Sequence, residues 1–171
     1  SNPELTEAIC KAATTGVNCT LNSREEVFLA EKLLDLNPFA GGVKFARGGG
    51  EAMTMAIRIA RAYSGKDKVL FSGYHGWNDW YLATNLSGRD SLSNHLLPGL
   101  DPKGVPIGLI NTAIPFEYNN VEDFIKTIES HEDVGVICIE GARYDLPKQD
   151  FLQCIVKYAR KKNAIIVSDE I

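Results

Sequence analysis

Three groups of residues in this chain could do chemistry if the fold brought them together. They are the glycine run Gly48, Gly49 and Gly50, the pair Tyr74 and His75, and the two acids Glu140 and Asp169. The glycines precede a helical pattern. Backbone N–H groups at such a junction point outward at the positive end of the helix dipole, where a phosphate can sit, and the missing side chains let an anion reach them. The run is neither a P-loop nor a dinucleotide fingerprint, since no Gly-Lys-Ser/Thr follows and no G-x-G-x-x-G is present. An aromatic plate and a carboxylate at the end of a buried strand complete the surroundings expected of a flat, phosphorylated, cationic heterocycle. Taken singly, each residue has a plainer explanation: a turn, a packing tyrosine, a structural histidine, or an acid capping the next helix.

The elements that would position them are readable from periodicity. Helical patterns cover Pro3 to Thr15, Ser23 to Leu36, Glu51 to Ser64, Val121 to Ser130 and Lys148 to Lys162. Ser23 followed by Glu26 is a capping box. In the third helix Thr54, Arg58 and Arg61 form one narrow polar stripe, so that helix is expected to be mostly buried. Strands are expected at Val43 to Arg47, Lys68 to Ser72, Ile107 to Asn111, Gly135 to Glu140 and Ala164 to Asp169. Several are continuously apolar and most are separated by helices, which predicts an α/β fold: a mostly parallel sheet with helices on both faces. Ligands of such sheets bind at the carboxyl ends of the strands. The glycine run, Tyr74 with His75, Glu140 and Asp169 each follow or close a different expected strand, so all belong at that end. Between Gly73 and Pro106 the pattern weakens into aromatics, glycines and polar residues, a composition typical of functional loops.

Composition narrows the partners. A formal charge of -4 in 171 residues, with Lys and Arg scattered, argues against nucleic acid and favours a small-molecule ligand. The four cysteines, Cys10, Cys19, Cys138 and Cys154, show no C-x-x-C spacing and read as reduced thiols in a cytoplasmic protein without a metal site. No apolar run is long enough to span a membrane. The chain enters helical periodicity almost at once and stops as a strand finishes, which leads to the expectation of a longer protein.

The stretches "NPELTEAI", "VKFARGGGEAMTMAIRIARAYSGKDKVLFSGYHGWNDW" and "AIIVSDEI" resemble the class III, pyridoxal-phosphate-dependent aminotransferases, most closely the glutamate-1-semialdehyde aminotransferase (aminomutase) branch. The resemblance implies a fold type I large domain, incomplete here, with a helical lead-in over 1–40 and a sheet-helix core over 41–171. It implies pyridoxal 5'-phosphate as cofactor, a small amino or oxo compound as substrate, and a homodimer. Residue by residue, Gly49 and Gly50, with Gly48 beside them, would offer backbone N–H groups to the phosphate. Tyr74 would stack on the pyridine ring, Ile171 would pack on its other face, and Asp169 would pair with the ring nitrogen. Glu140 would line the site, and His75 would make either a ring contact or a structural hydrogen bond. The family's phosphate turn usually reads Ser-Gly-Thr, so Gly48 and Gly50 replace hydroxyl donors with backbone alone. The family's Schiff-base lysine lies well beyond the aspartate of "DE", and no lysine of this chain stands there. The rival reading is a noncatalytic phosphate- or nucleotide-binding α/β module that uses the Gly48 to Gly50 turn by itself.

Overall fold

A computed structural model describes residues 2–17, 20–87, 92, 99–142 and 145–171. Cys19 and residues 88–91 and 93–98 of the irregular stretch lie outside the described residues. The chain divides into two units, Ser1–Phe45 and Ala46–Ile171.

The first unit holds α1 (Pro3–Thr15) and α2 (Arg24–Leu36). Asn2 caps α1 by accepting from the Glu4 N–H at 3.0 Å, with proline at the first helical position. The expected capping box starts α2: Ser23 Oγ accepts from the Glu26 N–H and Glu26 Oε2 from the Ser23 N–H, both at 3.2 Å. Neither helix has a buried residue.

The second unit is a four-stranded, all-parallel sheet in the order β2-β1-β3-β4. Its elements are α3 (Gly49–Ser64), β1 (Lys68–Ser72), α4 (Asp79–Leu82), β2 (Ala113–Pro115), α5 (Val121–Glu129), β3 (Val134–Glu140), α6 (Gln149–Lys162) and β4 (Ile165–Asp169). Two turns of 3-10 helix, Ala83–Ser87 and Ile107–Leu109, lie between α4 and β2. Strand alternation assigns the two faces. Val69 and Phe71 of β1 and Val136 and Cys138 of β3 pack with Met53, Ile57 and Ala60 of α3 and with Trp80 to Leu82. Leu70, Ile137 and Ile139 turn the other way, onto Phe124 and Ile128 of α5 and Phe151, Ile155 and Tyr158 of α6. Both faces of β1 and β3 are therefore covered, which is why these strands read as unbroken apolar runs.

Three expectations are corrected. Val43 to Arg47 forms no strand; Val43 and Phe45 are exposed, and a β-prone stretch without a neighbour to pair its backbone stays irregular. Ile107 to Asn111 is also not a strand. It winds into the second 3-10 turn, Asn111 takes a left-handed φ of 62° that ends any extended run, and β2 begins only at Ala113. Helix α3 begins at Gly49, earlier than expected, and is not mostly buried. Met53, Ile57 and Ala60 form one covered stripe, whereas Ile59 and Tyr63 are 62% and 81% exposed.

Candidate functional site

The carboxyl ends of β1, β3 and β4 and the first turn of α3 enclose a cavity of 350 Å³. Its wall includes Gly49, Gly50, Tyr74, His75, Glu140, Asp169 and Ile171. Seven of the eight residues expected at the site from sequence are thereby brought together. Gly48 is the N-cap of α3, in extended backbone with φ of -159°, and stands outside the cavity wall.

Helix α3 has no side-chain cap. The carbonyl of Gly48 accepts from Ala52, while the N–H groups of Gly49 and Gly50 fall in the first turn, where an α-helix provides no acceptor. Glu51 is occupied locally: its Oε2 accepts from the Arg47 N–H at 2.8 Å. Across from this turn, the segment after β1 is shaped by two glycines. Gly73 has φ of 117° and Gly76 φ of 91°, values that glycine adopts without penalty. Both are also pressed against neighbours: a Cβ on Gly76 would lie 2.5 Å from the Cα of Gly50, and one on Gly73 would lie 2.6 Å from the carboxyl carbon of Glu140. Bare backbone therefore meets bare backbone beside the free end of α3.

Tyr74 and His75 are held between these glycines. The Tyr74 N–H donates to Glu140 Oε1 at 3.1 Å, and its ring stands edge-on to Tyr81 with centroids 5.7 Å apart. His75 is fully buried. Its Nε2 lies 3.2 Å from the Ser72 carbonyl and its Nδ1 2.9 Å from Asp169 Oδ2. A carbonyl can only accept, so Nε2 carries a proton, and the Nδ1–Oδ2 contact then requires one further proton between ring and carboxylate. The second oxygen of Asp169 has no partner among the described residues, and the residue lies on the cavity wall. On its far side the imidazole stacks on Trp80, with an interplanar angle of 26° and centroids 6.0 Å apart. Asn78 locks the loop: its amide donates to the His75 carbonyl at 2.9 Å and its Oδ1 caps α4 through the Tyr81 N–H.

His75 makes a hydrogen bond to another residue of the cavity wall, Asp169, and itself lies on that wall. Of the two tryptophans, Trp77 lies on the cavity wall and is 75% exposed, while Trp80 is a buried anchor. Gly73, Gly76 and Asn78 fall in the Gly73 to Pro106 stretch whose composition is typical of functional loops, and Ala142 was not anticipated at the site. The first two carry a sequence signal, two glycines bracketing a Tyr-His pair; Ala142 carries none. Burial raises the Cys138 thiol well above its ordinary value, and the charges of Asp169 and Glu140 push the same way. No group of His, Cys, Asp and Glu suited to hold a metal occurs among the described residues, and no helix among them is long and apolar enough to cross a membrane.

Comparison with known proteins gives a consistent result. No protein-family model matches the chain. Glutamate-1-semialdehyde 2,1-aminomutase of Methanopyrus kandleri is 30% identical over 178 aligned positions, covering all of this chain and 40% of the relative. The protein of the same name from Sulfurisphaera tokodaii is 34% identical over 154 positions, 87% of this chain and 36% of its own length. Among solved structures, a transaminase with PLP bound superposes with a TM-score of 0.83 at 27% identity, over 98% of this chain and 40% of that one. A glutamate-1-semialdehyde aminomutase from Pseudomonas aeruginosa shares the fold, with a TM-score of 0.73 at 21% identity over 97% of this chain and 36% of that one. The chain is a relative of the glutamate-1-semialdehyde 2,1-aminomutases, built on the fold of the PLP transaminases and spanning about two fifths of the length of the relatives it matches.

Proposed function

We propose that the whole protein containing this chain binds pyridoxal 5'-phosphate in the 350 Å³ cavity and moves an amino group on a small amino or oxo substrate, as a cytoplasmic homodimer. The observation that carries this reading is the buried His75–Asp169 pair facing the bare first turn of α3. A phosphate module would use the helix terminus alone and has no need of an oriented carboxylate across the cavity.

The residues fit the group. Gly49 and Gly50 present backbone N–H groups where a phosphate would be held, and their missing side chains admit it closely. Tyr74 offers an aromatic face and Ile171 an apolar one, for the two sides of a flat ring. Asp169 would hold a proton at the ring nitrogen with the oxygen that His75 leaves unused. The cofactor supplies an electron sink, a cationic ring that takes up the electron pair left when a substrate carbon loses its proton. His75 keeps Asp169 in one orientation, itself fixed by the Ser72 carbonyl and by Trp80. Glu140 fixes the Tyr74 backbone, so the aromatic plate and the carboxylate are set by neighbouring strands. Association of two copies accords with apolar residues exposed on this chain, Ile59 and Tyr63 on α3 and Ile166 on β4.

Asp169→Asn in the full-length protein tests the reading. The variant is expected to bind the cofactor, followed by its visible absorbance, and to lose turnover by about two orders of magnitude or more, the scale of one preorganised electrostatic contact. Near-normal turnover would remove the role assigned to Asp169. Sedimentation of the full-length protein at micromolar concentration should give twice the monomer mass, and a monomer would remove the dimer.

A further inference from the structure

The loop after β1 brings a further backbone donor to the open end of α3. Trp77 lies on the cavity wall, and its main-chain N–H has no acceptor among the described residues. A Cβ on Gly50 would lie 3.5 Å from the Gly76 Cα and 3.9 Å from the Trp77 nitrogen, so loop and helix end share one patch of bare backbone. Gly76 keeps that patch open. A side chain there would begin 3.3 Å from the Gly50 nitrogen and cover its N–H. Trp77 is 75% exposed, which leaves a ligand room to reach its backbone.

The charge of the wall makes such a donor matter. Its acids are Glu140 and Asp169, and no lysine or arginine of the described residues stands on it. A phosphate in this cavity therefore receives only neutral donors from these residues, and each N–H aimed at its oxygens carries a larger share of the binding. Gly49 and Gly50 supply two from the helix. The loop beside them is held in advance of any ligand: Gly76 takes a φ of 91°, and the Asn78 amide donates to the His75 carbonyl at 2.9 Å while its Oδ1 caps α4. Asp169 marks a ligand here independently of the helix end. Its side chain is only 10% exposed, His75 takes one carboxylate oxygen, and the other stays unpartnered among the described residues on the same wall.

We propose that the backbone N–H of Trp77 is a third donor to the cofactor phosphate, added from the loop after β1 to those of Gly49 and Gly50. The inference rests on the cofactor reading above. It also gives glycine at position 76 a second task, since a side chain there would shut the cup as well as strike α3.

Titration of the cofactor-free, full-length protein with pyridoxal 5'-phosphate and with pyridoxal, followed by visible absorbance, tests this. The parent is compared with a protein carrying indole-3-lactic acid in place of Trp77, an exchange that turns the amide into an ester, removes the N–H and keeps the indole. The ester is expected to weaken binding of the phosphorylated ligand about tenfold, the scale of one hydrogen bond to a charged group, and to leave pyridoxal within about twofold. Equal binding of pyridoxal 5'-phosphate by both proteins overturns the proposal. An equal loss for both ligands overturns it too, because the N–H would then serve the fold and not the phosphate. A parent that fails to bind pyridoxal 5'-phosphate, or binds it no better than pyridoxal, overturns the phosphate cup of the cofactor reading itself, and this inference with it.

Discussion

His75 and Asp169 form a pair whose two halves should respond very differently to substitution. His75→Phe fills much of the same volume and can still stack on Trp80, but it removes the partner of a carboxylate whose side chain is only 10% exposed. It also strips the donor from the Ser72 carbonyl. Removing one member of a buried charged pair costs about 3–5 kcal/mol, because the other is left uncompensated. Asp169→Asn behaves otherwise. With Nε2 still donating to Ser72, a neutral His75 presents a lone pair at Nδ1, and the new amide can donate to it, so the contact survives with its polarity reversed. The expected cost is about 1 kcal/mol or less, that of exchanging one hydrogen bond for another. Urea denaturation of the two single variants and the double variant in the full-length protein measures this, provided the slopes agree with the parent. His75→Phe should be the more destabilised by a clear margin, and adding Asp169→Asn to it should recover part of the loss. Equal destabilisation of the two single variants, or a double variant worse than the sum, would refute the proton count on which the argument rests.

The remaining predictions concern the contact between Gly50 and Gly76 and the lysines. Gly76→Ala puts a Cβ 2.5 Å from the Gly50 Cα at a φ of 91°, so it should cost about 2–4 kcal/mol by combined backbone strain and overpacking, read as a lowered denaturation midpoint. Gly50→Ala meets that same backbone at 3.5 Å, an ordinary contact, and should be neutral in stability to within about 1 kcal/mol; if the two variants behave alike, the close approach is not what selects glycine. No lysine of the chain lies on the cavity wall. Borohydride treatment of the cofactor-loaded full-length protein, followed by peptide mapping, should therefore label no lysine of residues 1–171 stoichiometrically, and a stoichiometric label on any of them would require a different arrangement of the site.

Much of the second unit was legible because burial on both faces of a strand leaves a plain mark. The stretches "VLF" of β1 and "VGVICI" of β3 have no polar residue, since α3 covers one face and α5 and α6 the other. Where a strand is short or lacks a described partner, the mark fails. Ile107 to Ile110 is as apolar as β1 but winds into a 3-10 turn, and the pairing with β1 falls to a three-residue stretch ending in Pro115. Val43 to Phe45 is β-prone, and propensity alone does not make a ladder. Helix α3 misled in a related way. Counting its apolar residues predicts burial, but a helix laid on a sheet covers one stripe, and Ile59 and Tyr63 lie off it.

The site itself was legible as a set of residue types at strand ends, and illegible as a network. Tyr74, Glu140 and Asp169 could be placed at one end of the sheet because parallel strands send all their carboxyl ends the same way. That His75 bonds Asp169 could not be inferred, because the two are 94 residues apart and nothing local distinguishes a histidine that faces a core from one that faces a carboxylate. Its orientation comes from three neighbours: the carbonyl of Ser72, the stacked ring of Trp80 and the amide of Asn78 on its own carbonyl. Gly76 follows the same logic. Its φ and its approach to Gly50 exist only once α3 and the loop after β1 are packed together, so the glycine run of α3 and the glycine after His75 are halves of one contact. Sequence periodicity reports which face of an element is covered. Which atom meets which is decided by the packing of α3 on β1 and β3, and it is that packing which sets the uncapped glycine start of α3 on the same cavity wall as an oriented carboxylate.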